Sequence, residues 1–379
     1  MIERPQWLQR IENAWQKRSV VWLSGLRRVG KTTLARMLPG ATYLNCDLPS
    51  VASRLSDPEA FYAGLGARAS IVFDEVHRLE DPSRILKIGA DAFPGIRILA
   101  TGSSTLAATG TFRDSLTGRK VNVYLPPVLW TECVEPFGVE DFDRRLLHGG
   151  LPEQLLSSEK DDSFFAEWID SFYARDVLEL FSIRNRTGFM RLLRLLLRQS
   201  GGALEYTSLA KHSGLSRPTV MSHLEALSIA HAVFVVPPFH GGSRRELTHQ
   251  PRCYGADTGL VTFVRGWESI RAEDRGRLWE HLVLDALRTT VTPDKIHYWR
   301  DKSGREIDFV LKKGRSRIAV ECKCEPDSFD PGNLVEFRTH YKSGDNYVVC
   351  PHVTASYTRR HKGVSVRYVG LAELMSRMA

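Results

Sequence analysis

Short apolar, β-branched runs alternate with longer segments of helical periodicity over the first third of the chain. The runs predict strands at 20–24, 42–46, 71–73, 96–100 and 121–125. Between them, apolar positions recur every three or four residues, which predicts helices. Strands that alternate with helices form βαβ units, so this third of the chain predicts an α/β fold built on a parallel sheet.

The hydrophobic pattern changes again further along the chain. From about 141 to 199 it is helical throughout, and Gly201-Gly202 then predicts a break. A small helical unit follows and ends in a strand-like run at 232–236, and after 266 the order is helix, strands, helix and strands. We therefore expect four domains, at 1–135, 136–200, 201–266 and 267–379.

Composition narrows the class of protein. The 42% hydrophobic and 25% charged residues are ordinary for a globular chain. None of the six cysteines forms a C-x-x-C pair, which argues against a zinc or redox site. A chain of this length without a secretion signal does not predict a disulfide framework. No apolar run approaches the roughly 18–20 residues that cross a bilayer, and the N-terminus does not predict a signal peptide. We expect a soluble cytoplasmic protein without a membrane partner, whose net charge of +8 favours nucleic acid.

A phosphate-binding motif lies between the first predicted strand and the helix after it. Residues 25–32 read GLRRVGKT, where the glycines allow a tight turn whose backbone N–H groups face phosphate. Lys31 would neutralise the β- and γ-phosphates, and the Thr32 hydroxyl would bind Mg²⁺. We therefore expect ATP and Mg²⁺ as cofactors, and as nucleotide-binding residues Gly25, Arg28, Val29, Gly30, Lys31, Thr32 and Thr33.

Two later strands end in residues that suit the same site. In IVFDE, Asp74 would hold Mg²⁺ through water and Glu75 would polarise the attacking water. In RILATGSS, Thr101 or Ser103 could reach the γ-phosphate or that water. Arg119, just before the fifth strand, could serve a neighbouring subunit as an arginine finger or form a local ion pair, and both interpretations stay open.

Residues 206–229 have the pattern of a helix-turn-helix unit. Gly214 predicts the turn, Ser216 caps the second helix, and the run at 232–236 suits the strand of a wing. We expect four side chains of the second helix to face outward, where a recognition helix meets DNA. These DNA-binding candidates are Arg217, Thr219, Ser222 and His223. The alternative is a module that only packs against protein.

The C-terminal region combines an acid on one predicted strand with E-x-K on the next. Asp308 lies in REIDFVL, and Glu321 and Lys323 lie in RIAVECK. This is the layout of a metal-dependent nuclease, in which the acids bind Mg²⁺ and the lysine positions water. Glu280, on the amphipathic helix upstream, could add a carboxylate. The alternative is a nuclease-like fold that binds DNA, or supports structure, without cutting.

The whole chain resembles a bacterial and archaeal ATPase family whose members join an AAA-like domain to a winged helix and a C-terminal PD-(D/E)XK-type domain. The matching stretches are GLRRVGKTTL, IVFDEVHRL, RILATGSSTL, SLTGRKVNVYLPPV, GGLPEQLL, FYARDVLELF, YGADTGLV and YWRDKSGREIDFVL…AVECK.

The resemblance implies an α/β fold with an AAA+ P-loop domain at 1–135 and a helical lid at 136–200. It also implies a winged helix at 201–266 and a restriction-endonuclease-like α/β domain at 267–379. ATP hydrolysis would use Lys31, Glu75 and, as an arginine finger, Arg119, while Arg175 would be a lid arginine. AAA sites usually form between subunits, so a homo-oligomeric ring, often a hexamer, is implied.

Two functional hypotheses of different classes follow. The first is an ATP-driven motor that remodels or translocates duplex or branched DNA, as in repair or recombination, and whose C-terminal domain grips or cuts the DNA. The second is a nucleotide-dependent switch or scaffold whose winged helix and C-terminal domain bind protein. Stimulation of ATP turnover by DNA discriminates between them, because a motor should respond to DNA and a switch should not.

Overall fold

The computed structural model describes residues 2–102, 106, 110–178, 183, 185–241 and 250–378. The chain forms two compact units. The first unit comprises Met1–Pro126, Glu167–Arg184 and Ile229–His231, and the second comprises Pro127–Ala166, Asn185–Ser228 and Ala232–Ala379. The expected helical lid is therefore divided, because residues 167–184 belong to the first unit and its other residues to the second. The division into four domains stays a prediction.

A five-stranded parallel sheet forms the centre of the first unit, with the strand order β2-β3-β4-β1-β5. Its strands are β1 (Val20–Ser24), β2 (Ala41–Asn45), β3 (Ser70–Asp74), β4 (Arg97–Thr101) and β5 (Lys120–Tyr124). Each lies within one residue of its predicted run, so the expected parallel sheet is confirmed. The apolar runs of β1, β3 and β4 are buried because helices cover parallel sheets on both faces.

In the first unit, one helix precedes the first strand and the following helices lie between successive strands. They are α1 (Pro5–Trp15), α2 (Lys31–Arg36), α3 (Pro49–Arg54), α4 (Pro58–Ala63), α5 (Pro82–Ala92) and α6 (Gly110–Leu116). Proline in the first turn and an aspartate cap start α4 and α5, where Asp57 and Asp81 accept backbone N–H bonds. The aromatic core includes Trp22, which packs edge-on against Phe112 at 4.9 Å.

The first part of the second unit is helical and carries a small sheet. Its helices are α7 (Trp130–Cys133), α8 (Phe142–His148), α9 (Pro152–Leu156), α10 (Asp162–Phe172), α11 (Arg186–Arg198), α12 (Tyr206–Ser213), α13 (Arg217–Ile229) and α14 (Thr258–Arg265). From Glu167 onward, α10 belongs to the first unit. The antiparallel strands β6 (Gly202–Ala203), β7 (Val233–Val236) and β8 (Arg252–Gly255) pair in the order β6-β8-β7. Two helices beside a three-stranded sheet fit the expected winged helix, which stays a prediction.

A six-stranded mixed sheet forms the remainder of the second unit, in the order β13-β14-β12-β11-β10-β9. Its strands are β9 (Ile296–Arg300), β10 (Glu306–Lys313), β11 (Ser316–Cys322), β12 (Asn346–Val349), β13 (Tyr357–His361) and β14 (Val364–Val369). The helices are α15 (Ala272–Thr290), α16 (Gly332–His340) and α17 (Leu371–Met378). Strands β9, β10 and β11 are antiparallel, whereas β11, β12 and β14 are parallel.

Helix α15 is held against this sheet by its apolar face. The Trp279 indole is buried and donates a hydrogen bond to the carbonyl oxygen of Val349 at 2.9 Å. The contact orients the helix so that Glu280, the next residue, can approach β10. Over the described residues, no helix is both long enough and apolar enough to cross a membrane.

Candidate functional site

The phosphate-binding motif forms a tight loop between β1 and α2. Gly25 has φ 150°, and a Cβ atom there would meet the Leu125 carbonyl oxygen at 2.3 Å, so no larger residue fits. Gly30, with φ 94°, and Arg28, with φ 63°, also have positive φ values. Val29, between them, is fully buried. The loop therefore has the curvature that a phosphate group requires.

Lys31 lies along the inner side of this loop. Its ammonium group donates hydrogen bonds to the carbonyl oxygens of Gly25 at 2.9 Å and Leu26 at 3.0 Å. Burial lowers the pKa of Lys31, and the nearby carboxylates of Glu75 and Asp176 oppose that change. The cation is thus placed at the loop where phosphates are expected.

The two acids at the end of β3 are held by Thr101. The Thr101 hydroxyl donates to Oδ1 of Asp74 at 2.5 Å and accepts the backbone N–H of Glu75 at 3.0 Å. Oδ2 of Asp74 accepts a hydrogen bond from the Tyr43 hydroxyl. Thr101 therefore orients both acids, and its expected contact with the γ-phosphate or the attacking water stays a prediction. Ser103, the alternative residue, lies outside the described residues.

Glu75 has an unusual backbone conformation and a partly buried carboxylate. Its φ of 55° and ψ of 42° put a non-glycine residue in the left-handed region, a conformation that often occurs at functional sites. Burial raises the pKa of Glu75, and the Lys31 cation opposes that rise. Nδ1 of His77 lies 3.2 Å from Oε2 of Glu75. A carboxylate held in this way can orient a water molecule for attack on a phosphate.

Mg²⁺ would be held by oxygen atoms that are present here. The Thr32 hydroxyl follows Lys31 at the start of α2, and the Asp74 carboxylate ends strand β3 of the same sheet. Hydroxyl, carboxylate and phosphate oxygens are the hard ligands that Mg²⁺ prefers, so the residues fit this ion. When bound with ATP, the ion would neutralise charge on the phosphates.

Residues 167–177 also contact the loop, which sequence reasoning missed. The Trp168 indole donates to the Arg27 carbonyl oxygen at 3.1 Å, and the Arg28 guanidinium lies 2.6 Å from Oε1 of Glu167. Oδ2 of Asp176 lies 3.6 Å from the Arg27 guanidinium. Arg175, the expected lid arginine, is exposed, and its neighbour Asp176 faces the loop instead. In the sequence, the local signal for this contact was the acid of the FYARD motif, Asp176.

Arg119 forms an ion pair within its own chain. Its Nε lies 2.6 Å from Oδ1 of Asp91, and Nη1 donates to the Ser115 carbonyl oxygen at 3.3 Å. Of the two interpretations of Arg119, the local ion pair is therefore present in the structure. A role for Arg119 at a neighbouring subunit stays a prediction.

Asp308, Glu321 and Lys323 converge on the six-stranded sheet. Phe309 pairs with Val320, which brings the preceding Asp308 opposite Glu321. The Lys323 ammonium lies 3.0 Å from Oε2 of Glu321 and 3.7 Å from Oδ2 of Asp308. Both acids are 5% exposed, and Oε1 of Glu321 has no hydrogen-bond partner among the described residues. A buried carboxylate oxygen of this kind can accept a cation or a hydrogen-bond donor.

The charged groups of this cluster shift one another's pKa values. Burial raises the pKa of Glu321, and the charge of Asp308 raises it further. Burial disfavours the Lys323 cation, but the two carboxylates outweigh burial and raise the pKa of Lys323. The lysine therefore stays charged and holds the two acids together.

Glu280 approaches the cluster from α15. Its Oε2 accepts a hydrogen bond from the Tyr254 hydroxyl at 3.2 Å. Burial, together with the charge of Asp308, raises the pKa of Glu280 to about 8. In the described part of the chain, however, no three His, Cys, Asp or Glu side chains are arranged to hold a metal ion. Glu280, Asp308 and Glu321 therefore do not form a three-carboxylate site in this conformation.

The second helix of the helix pair, α13, corrects one expectation. Arg217 and Ser222 are exposed. Thr219 is half-buried, and its hydroxyl lies 2.6 Å from the Ser216 hydroxyl. His223 is only 7% exposed and packs edge-on against Phe189 at 5.5 Å. The expectation that His223 faces outward is wrong.

Helical periodicity explains why His223 is buried. Position 223 adjoins the stripe formed by Val220, Leu224 and Leu227, all of which are buried. Burial lowers the pKa of His223, so the imidazole is a neutral core residue at neutral pH.

The fold and the loop geometry define a P-loop ATPase of the AAA type. Residues 17–134 match the model of the AAA domain family. Residues 139–271 and 275–369 match two domains of unknown function, DUF8612 and DUF4143. The chain belongs to the same family as an uncharacterised protein of Mycobacterium tuberculosis, Rv2008c, because the two are 30% identical over 338 residues, which cover 85% of this chain and 74% of the relative.

More distant similarities extend over much of the chain. The uncharacterised protein MJ1544 of Methanocaldococcus jannaschii is 23% identical over 277 residues, covering 67% of this chain and 60% of that protein. The Walker-type ATPase PABY2304 of Pyrococcus abyssi aligns with a TM-score of 0.44 at 16% identity, over 70% of this chain and 96% of that one. Cdc6p from Pyrobaculum aerophilum aligns with a TM-score of 0.30 at 12% identity, over 70% and 94%.

Proposed function

We propose that this ATPase couples ATP hydrolysis to remodelling or translocation of duplex or branched DNA, as in branch migration, while its second unit grips or cuts the DNA. One observation carries the proposal: the cluster of Asp308, Glu321 and Lys323 adjoins, through Glu280, a cavity lined by arginines. Paired carboxylates beside a lysine can hold Mg²⁺ at a phosphodiester. The net charge of +8 favours a polyanionic partner.

The cavity has a volume of about 370 Å³. Arg252, Arg277 and Arg300 line it from β8, α15 and β9, and Glu280 lies at its wall. Nη2 of Arg252 is 2.6 Å from Oε2 of Glu306, whereas Nη1 of Arg300 is 3.9 Å away from the same oxygen. Arg252 is thus held by an acid. Arg277 and Arg300 are more accessible, and in this proposal they contact the phosphates of a DNA strand.

Assembly into a homo-oligomeric ring, with a hexamer as the expected form, belongs to the same proposal. AAA enzymes usually complete their ATP sites with a residue from a neighbouring subunit. Arg119 would supply that residue after it leaves Asp91, an exchange that is feasible because the ion pair is exposed and surface pairs contribute only about 0–1 kcal/mol.

DNA is expected to accelerate ATP turnover. The measurement compares turnover of the purified protein alone and with single-stranded, duplex and four-way-junction DNA, using Glu75→Gln as the blank. A motor turns over faster with its substrate because DNA binding and hydrolysis are coupled, and raising the salt concentration should weaken the response steeply. Turnover that ignores every form of DNA would contradict the motor.

Asp308→Ala is expected to abolish Mg²⁺-dependent DNA cleavage and to leave ATP turnover unchanged, because it removes one carboxylate of the phosphodiester site. Arg277→Glu should instead weaken DNA affinity roughly tenfold or more, since it reverses a charge that faces phosphate. Both are measured on a labelled duplex, by gel for cleavage and by anisotropy for affinity. Arg271→Glu, at the exposed residue that directly precedes α15, is the matched control for charge. Unchanged cleavage in Asp308→Ala would remove this residue from the nuclease site.

A second candidate function is a nucleotide-dependent switch that binds protein. The specific observation in its favour is the surface of α13, where Met221 is 51% exposed and Glu225 is also exposed. An exposed methionine beside an acid suits a protein partner better than a phosphate backbone. Slow ATP turnover that DNA does not change would support this switch.

A further inference from the structure

The segment 167–177 contacts the phosphate-binding loop through the two arginines of GLRRVGKT. The Trp168 indole donates a hydrogen bond to the carbonyl oxygen of Arg27, and the Asp176 carboxylate lies near the Arg27 guanidinium. The Arg28 guanidinium forms an ion pair with Glu167. Trp168 is fully buried and stacks on Phe172 at 5.1 Å. The segment is thus anchored to the loop at both of its arginines.

The last part of this segment has unusual backbone geometry. Tyr173–Val177 is a π-helical stretch that follows α10 directly. π-Helical insertions occur frequently at functional sites because they turn one side chain out of the regular helical register. In this stretch Asp176 faces the loop, whereas its neighbour Arg175 is exposed.

Asp176 belongs to the same group of charges as the ATP-site residues. Its side chain is 20% exposed, and it interacts electrostatically with Arg27, Lys31 and Glu75. Burial raises the pKa of Asp176, and the Arg27 and Lys31 cations oppose the rise. Lys31 in turn is influenced by both Asp176 and Glu75. A carboxylate therefore already neutralises part of the positive charge that the phosphates of ATP require.

We propose that Asp176 sets the preference of the site between ATP and ADP, by competing with the γ-phosphate for Arg27 and Lys31. The γ-phosphate brings additional negative charge close to the loop, where it repels the Asp176 carboxylate. ADP does not carry that charge and is affected less. Asp176 is thus a specificity-determining residue that partly offsets the loop's affinity for the triphosphate. The inference rests on the ATP site alone and not on the proposed action on DNA.

Asp176→Asn tests this inference. The two affinities are measured by displacement of a fluorescent nucleotide, once with ADP and once with a β,γ-imido analogue of ATP that is not hydrolysed, so that Glu75 can remain native. Removal of the negative charge should raise the ratio of the ADP dissociation constant to the analogue dissociation constant roughly tenfold. A role in packing alone would change both affinities together and leave the ratio unchanged.

Three further variants serve as controls. Asp176→Glu keeps the charge and should keep the wild-type ratio, whereas Asp176→Ser is a second neutral variant that should raise it. Glu167→Gln removes the exposed contact between the same segment and Arg28, so it should leave the ratio unchanged. An unaltered ratio in both neutral variants would overturn the inference, as would an equal rise in Glu167→Gln. Failure of the wild-type protein to bind either nucleotide would overturn the ATP site as well.

Discussion

Glu75→Gln is expected to reduce ATP turnover at least about a hundredfold while nucleotide binding persists. The glutamine side chain has the same shape but cannot accept a proton from the attacking water or polarise it as a carboxylate does. The backbone of Glu75 is anchored by the Thr101 hydroxyl, so the substitution should leave the geometry of the strand end unchanged. Steady-state phosphate release and binding of a fluorescent nucleotide measure the two effects separately.

Two comparisons make this result specific. Glu80→Gln, at an exposed acid a few residues away, should leave turnover unchanged. Lys31→Ala should remove nucleotide binding itself, because it deletes the cation at the loop. Wild-type turnover in Glu75→Gln would exclude Glu75 from the reaction and leave Asp74 as the remaining acid at the end of β3.

Arg145→Met is expected to lower the free energy of unfolding by about 3–5 kcal/mol, the second large effect. The Arg145 guanidinium is 1% exposed and donates to the Val128 carbonyl oxygen, at 2.8 and 3.1 Å, and to the Thr258 hydroxyl at 3.1 Å. Its charge also compensates Asp257, which is 1% exposed. Methionine fills similar volume but leaves the buried acid without this cation. Urea-induced unfolding of the full chain measures the loss.

The double variant Arg145→Met with Asp257→Asn tests the cause. If the uncompensated charge dominates, the double variant should be more stable than Arg145→Met alone. Arg271→Ala, which breaks an exposed ion pair with Asp274, should cost less than about 1 kcal/mol and is the surface control. A loss in Arg145→Met no larger than in Arg271→Ala would contradict the assigned role.

The same network explains two motifs of the sequence, GGLPEQLL and YGADTGLV. Gly149 has φ 80°, and a Cβ atom there would meet Oδ1 of Asp257 at 2.0 Å. The Gly150 N–H donates to Oδ2 of Asp257 at 2.6 Å, and a Cβ atom on Gly150 would meet Arg145 at 2.5 Å. These glycines allow the backbone to approach a buried acid. The motifs therefore support structure in the second unit, a role that sequence reasoning did not assign to them.

Much of the ATP site could be predicted from sequence because its parts are contiguous. The loop at 25–32 contains its glycines and lysine within eight residues. Asp74 ends one buried strand, and Glu75 follows it directly. Asp176 escaped prediction because it reaches the loop only through the path of α10 and its π-helical extension. His223 was assigned to the wrong face because its position borders the apolar stripe, and only packing against Phe189 determines its side.

By itself, the sequence determined the parallel sheet, the phosphate-binding loop and the pairing of an acid strand with E-x-K, since each depends on local periodicity or on a contiguous motif. The tertiary structure decided which charged residues are buried and which charges face one another. It placed Asp176 at the loop, Arg119 on Asp91 and Arg145 beside Asp257. Long-range electrostatics depends on distances between distant segments, and packing of the folded chain alone determines those distances.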